Sequence, residues 1–262
     1  MDFFWIYEIP LWQFFILTIS VFVGFSLLGA IALNKILVKK LGLSVQTNET
    51  VSTFLNTSGV LYGITLGLIS VANYENFSSV EAIVEAEASS LAALYRDVGI
   101  LEKPERSELQ NTLKQYTHYV IEQAWPAQSK GIIPKGGTVL IDTFQTQLAK
   151  YLPETDRDKI IYSEVFDQFN VLIERRRERL SSVTKTMPAS VWGVLLIGAI
   201  VNIMLAWLLV IDNRKLDIII NTLCGLLLGS LIFLLAAMDN PFRGEFSISA
   251  EPFQLLLDDL MK

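Results

Sequence analysis

Residues Phe54–Ala72 read FLNTSGVLYGITLGLISVA, and the chain leaves them through Asn73-Tyr74-Glu75-Asn76. These 19 residues carry no charged side chain. At about 1.5 Å per residue such a helix crosses most of a hydrocarbon core of about 30 Å. Yet Asn56, Thr57, Ser58, Thr65 and Ser70 make it polar for a lipid-facing span, which predicts shelter inside a bundle or beside water. The polarity has a pattern. Gly59, Gly63 and Gly67 recur every four residues, a small-residue ridge for close helix packing. Thr53, Thr57, Leu61 and Thr65 recur at the same interval two positions away, a rotation of about 200°. The two rows therefore take nearly opposite faces. One can lean on neighbouring helices while the other lines a narrow, uncharged axis of the kind that gates by excluding water. A plainer reading has the threonines bonding their own backbone and the glycines packing inside one subunit.

Three more stretches lack charge: Leu11–Leu33, Val191–Ile211 and Ile218–Met238. They account for a composition that is 52% hydrophobic. None alternates with the two-residue period of a barrel strand, so helices must satisfy the backbone in lipid. The sequence predicts an all-α membrane protein with four transmembrane helices and a helical stalk. Residues 11–72 form transmembrane helices 1 and 2 with a loop at 34–53, and 73–188 form the stalk. Residues 189–238 form helices 3 and 4, and 239–262 a C-terminal tail helix. The even number of crossings returns both exits, Tyr74-Glu75-Asn76 and Asp239-Asn240-Pro241-Phe242, to one membrane face.

The segment between the pairs reads as helical throughout. Val80, Val84, Leu91, Leu94, Tyr95 and Val98 recur at three- and four-residue steps, so the second span continues as one long amphipathic helix. Pro104 opens another helix, and Gly131, Pro134, Gly136 and Gly137 mark a loop. Beyond Pro153, Val165, Phe169 and Leu172 form an apolar stripe ending in the run Arg175–Arg179, which reads as a solvated helix end. In the membrane, Asn202 predicts an interhelical hydrogen bond, and Gly225 with Gly229 a small-residue contact.

Enzyme chemistry finds no constellation here. His118 and Cys224 are the only histidine and cysteine, too few for a usual catalytic metal site, so no metal and no cofactor are expected. Net charge −6 and the lack of a basic stripe exclude nucleic acid as a partner. Basic residues nearly tie on the two sides: Lys35, Lys39, Lys40, Arg214 and Lys215 against Arg175–Arg177, Arg179, Lys185 and Arg243.

Tyr62, followed after eleven residues by Tyr74-Glu75-Asn76, resembles the second helix of bestrophin channels. Asn240-Pro241-Phe242, with Glu245 after it, resembles the turn behind their last membrane helix. The run through Tyr95-Arg96-Asp97, Trp125-Pro126 and Asp239–Glu245 is similar to the bestrophin-like family of bacteria and plants. The resemblance implies a homo-oligomeric ion channel, a pentamer, in the cell membrane with membrane lipid around it and inorganic ions passing through. It implies cytoplasmic termini and stalk, and a neck lined by the second helix at Thr53, Thr57 and Leu61. Only Leu61 keeps the family's apolar character there. Animal members hold calcium on an acidic run after the turn; here Arg243 enters it, and no such clasp is expected. Charge selectivity stays open. The same layout also suits a non-conducting signalling or scaffold protein that works through its stalk.

Overall fold

The structure is a computed structural model that describes residues 4–262. Its elements are helical, with no strand among the described residues. They are α1 (Leu11–Leu28), α2 (Asn34–Leu41), α3 (Asn48–Val98), α4 (Glu105–Tyr119), α5 (Trp125–Gln128), α6 (Gly136–Leu148), α7 (Asp156–Ser182), α8 (Ala189–Trp207), α9 (Arg214–Met238) and α10 (Glu251–Asp259). The chain divides into two compact units, and α3 contributes to both.

The apolar unit holds the chain through Glu75, Thr186–Asp239 and Gly244–Phe246. Helices of α1, α3, α8 and α9 are long and apolar enough to cross a membrane. α1 and α9 approach closely because of glycine: a Cβ on Gly225 would lie 2.7 Å from the Val23 Cα. One on Gly229 would lie 3.2 Å from the Phe22 Cβ. Trp207 occupies the space beside Gly29 and donates its indole N–H to the Ser26 carbonyl at 2.9 Å. There the backbone widens into a π-helical turn, Gly29–Leu33.

The expected loop 34–53 is instead mostly helical, with α2, a 3-10 turn at Val45–Thr47 and the first turn of α3. Two asparagines explain the order. Asn34 donates to the carbonyls of Trp207 and Leu209 at 2.7 and 3.1 Å. Asn48 exchanges two bonds with the Val210 backbone, at 2.8 and 2.9 Å. Together they satisfy carbonyls that α8 leaves open at its end. Gly42, at φ +61°, ends α2 in the left-handed conformation.

The polar unit holds Asn76–Lys185, Asn240–Arg243 and Ser247–Lys262. Val84, Leu91 and Leu94 of α3, Leu109 and Leu113 of α4, Phe144 of α6 and Phe169 of α7 form its core. The tail joins it through Phe253, Leu256 and Met261. Gly136-Gly137, expected as part of a loop, opens α6. A Cβ on Gly136 would lie 2.5 Å from the Tyr119 ring, so glycine lets α6 reach α4. Pro126 has no N–H to offer the preceding turn, and the backbone there is π-helical over Val120–Ala124.

Candidate pore site

Within the apolar unit α3 turns one face to the other helices: Leu55, Ser58, Tyr62, Leu66, Ile69 and Asn73. Polar groups on this face are paired. The Tyr62 hydroxyl donates to the Leu195 carbonyl at 2.9 Å, and its ring lies where a side chain on Gly198 would stand. Asn73 donates to the Leu235 carbonyl at 3.0 Å. Ser58 donates to the Asn202 side-chain oxygen at 3.2 Å, so Asn202 makes an interhelical bond.

The opposite face has no packing partner among the described residues. Thr53, Thr57 and Leu61 are exposed there, Leu61 by 62%. The threonine hydroxyls donate to their own helix: Thr53 to Glu49 at 2.8 Å, Thr57 to Thr53 at 2.9 Å and Thr65 to Leu61 at 2.9 Å. This part of the plainer reading is correct, and it leaves no unsatisfied donor on those hydroxyls. Thr65 is half-buried. A four-residue step overshoots a full turn by about 40°, so the row winds off its face within a few steps. The outward line continues through Ile64 and Leu68, 57% and 68% exposed, which the fixed four-residue interval missed. Alternating three- and four-residue steps from Thr57 would have found them.

The same drift corrects the glycine ridge. A Cβ on Gly59 would lie 3.7 Å from Asn202, but one on Gly63 or Gly67 would meet nothing within 4 Å among the described residues. Inside the subunit the packing face is therefore the Tyr62–Leu66 face, and the ridge leaves it after one step.

The motif residues separate into different roles. Tyr74 and Glu75 are exposed, and Asn76 is half-buried. Asn240, Pro241 and Phe242 are buried, with the Phe242 ring 5.6 Å from that of Trp125. Arg243 donates to the Lys130 carbonyl at 2.9 Å, and its guanidinium fills the place a side chain on Gly131 would need. Asp239 accepts from the Met187 N–H at 2.6 Å and the Trp192 indole at 3.1 Å. Burial pushes its carboxyl above the ordinary range, while those two donors pull it back. Glu245 accepts from the Leu11 N–H at 3.1 Å, a carboxylate at the positive end of α1.

One buried polar cluster escaped the sequence reading. Arg179, in the polar unit, is not solvated as expected but 1% exposed. It donates to Glu87 at 2.5 and 3.1 Å and to Gln128 at 2.6 Å. Tyr116 donates to the same carboxylate at 2.8 Å. The aromatic rings of Trp125 and Phe253 flank the guanidinium at 5.5 and 5.8 Å.

With this geometry in place, the model of the bestrophin-like domain matches residues 20–253. The chain belongs to the bestrophin-like family. Its fold is similar to that of a bacterial bestrophin homologue from Klebsiella pneumoniae. In one crystal structure of that protein, carrying a point mutation, the TM-score is 0.69 at 14% identity, over 93% of this chain and 98% of that one. In another, phased on zinc, the TM-score is again 0.69 at 14% identity, over 93% and 97%. No curated protein matches the sequence. This bestrophin-like chain thus keeps the family fold with little of the homologue's sequence, and its own side chains must carry any argument about conduction.

Proposed function

We propose that the protein is an ion channel: a homo-oligomer, a pentamer by family resemblance, with the outward face of α3 turned to a shared central axis. One observation carries the reading. Thr53 and Thr57 are exposed on the face opposite the one that packs Tyr62 and Leu66, and Leu61 is exposed beside them. Repeated by rotational symmetry, Leu61 supplies an apolar collar and the threonines supply rings of hydroxyls whose protons are already committed. An apolar collar of this kind gates by shedding water, and hydroxyl rings ease the passage of partly hydrated inorganic ions. The resemblance supports a cell-membrane location, with the polar unit and both termini in the cytoplasm. The glycines at 63 and 67, with open space beside them among the described residues, fit contact with lipid or with the next subunit.

The test combines mass and current. The detergent-solubilised assembly is expected at the mass of five 29.4 kDa chains. In planar bilayers it is expected to conduct, and Leu61→Ala to conduct several-fold more, by widening and wetting the collar. Intact oligomers that pass no current in any salt would overturn the proposal.

A further inference from the structure

We infer that Glu75 sets the charge selectivity of this conduit, so that it passes cations in preference to anions. The inference rests on the pore reading above and deepens it. Glu75 stands 18 residues beyond Thr57, which is about five turns of 3.6 residues. The two side chains therefore leave α3 in the same direction, about 27 Å apart along its axis. Both are exposed in the subunit. Between them the same face presents Leu61, Ile64, Leu68 and Val71, none of them ionisable. Glu75 is thus the first fixed charge on that face beyond the collar.

The part of the helix that precedes it carries no opposing charge. From Asn48 to Glu75 the charged residues of α3 are Glu49 and Glu75, both carboxylates, one near each end of the apolar stretch. Neither is in a salt bridge among the described residues. The basic residues of the apolar unit, Lys35, Lys39, Lys40, Arg214 and Lys215, ride on α2 and the start of α9. Leu37 of α2 packs against the Ile203, Trp207 and Leu228 cluster that also receives Tyr62 from the packing face of α3, so α2 is anchored on that side and not on the outward face. Rotational symmetry would gather one Glu75 from every subunit into a ring of carboxylates at one mouth. In a narrow passage with low-dielectric walls such a ring concentrates cations and repels anions.

The experiment is the reversal potential of the full-length channel in planar bilayers under a potassium chloride gradient. Wild type is expected to favour potassium over chloride by about tenfold or more. Glu75→Gln, a substitution at a position exposed in the subunit, is expected to assemble as wild type does and to bring the ratio close to parity, and Glu75→Lys to invert it. Glu49→Gln, outside the direct line of Thr57 and Glu75, is expected to change it less. Raising salt to 1 M, where the screening length falls to about 3 Å, is expected to weaken wild-type selectivity. A wild-type current that reverses near the chloride potential, or a Glu75→Gln channel with an unmoved reversal potential, overturns the role of Glu75 while leaving the pore standing. No current from intact oligomers overturns the pore reading and this inference with it.

Discussion

Arg179 is an arginine in the wrong place for its composition, and its surroundings explain how the fold tolerates it. Burial alone would lower its pKa, but the Glu87 carboxylate more than reverses this and holds it above the ordinary arginine value. Burial, and then the same carboxylate, push the Tyr116 phenol well above its usual range. The cluster therefore keeps the Arg179–Glu87 ion pair away from water. Removing one partner strands the other, which costs about 3–5 kcal/mol in buried pairs. Glu87→Leu and Arg179→Met are each expected to lower the unfolding midpoint of the solubilised protein sharply. The double replacement is expected to recover most of the loss, because two apolar side chains leave no stranded charge. A double variant as unstable as the sum of the singles would contradict this. The burial was partly legible: 165, 169, 172, 176 and 179 follow one helical stripe, so Arg179 lies in register with Phe169 and Leu172. What could not be read was its partner, 92 residues away in the chain. Without Glu87 in view, solvation was the physically safer reading of an arginine.

Among the helices, identical spacing conceals opposite environments. Gly63 with Gly67 and Gly225 with Gly229 are both small residues four apart on apolar helices. Yet a Cβ on either of the first pair would meet nothing within 4 Å among the described residues, while the second pair lies against the backbone of α1. Gly225→Ala must push α1 and α9 apart at a contact of 2.7 Å, and overpacking of this kind costs about 1–3 kcal/mol. Gly67→Ala meets open space and gains helix propensity, which favours the folded subunit by about 0.5–1 kcal/mol. Thermal unfolding of the two variants in detergent is expected to move in opposite directions; equal destabilisation would mean that the Gly67 face is packed as tightly as the α1–α9 seam. Periodicity gives spacing but no partner, so the sequence could locate both ridges and not tell them apart. The segment 34–53 failed for a related reason. Its lysines and asparagines look solvated, but Asn34 and Asn48 are spent on the backbone at the end of α8.

For the molecule as a whole, span lengths and the absence of charge made four membrane helices legible, and apolar periodicity made the long α3 legible. Neither separates a face turned to lipid from one turned to water, because both are exposed in a single chain. Leu61 on α3 and Ile197 on α8 are 62% and 64% exposed and equally apolar. Conduction requires them to differ: Leu61 must meet a watery axis, whereas Ile197 faces lipid or a neighbouring subunit. A charged thiol reagent that dissolves in water and not in hydrocarbon distinguishes these environments, since a cysteine reacts as its thiolate and only where the reagent can reach it. Cys224 is the sole native cysteine, so a Cys224→Ser background leaves none to compete. In that background Thr57→Cys and Leu61→Cys are expected to be modified in the membrane-embedded protein, and modification is expected to block the current. Ile197→Cys is expected to stay unmodified until detergent strips the lipid away. If Leu61→Cys and Ile197→Cys resist the reagent alike, the outward row of α3 lies in a dry environment and cannot carry ions. The threonine hydroxyls, already bonded to their own backbone, would then need no water at all, and the polarity of Phe54–Ala72 would belong to helix packing alone.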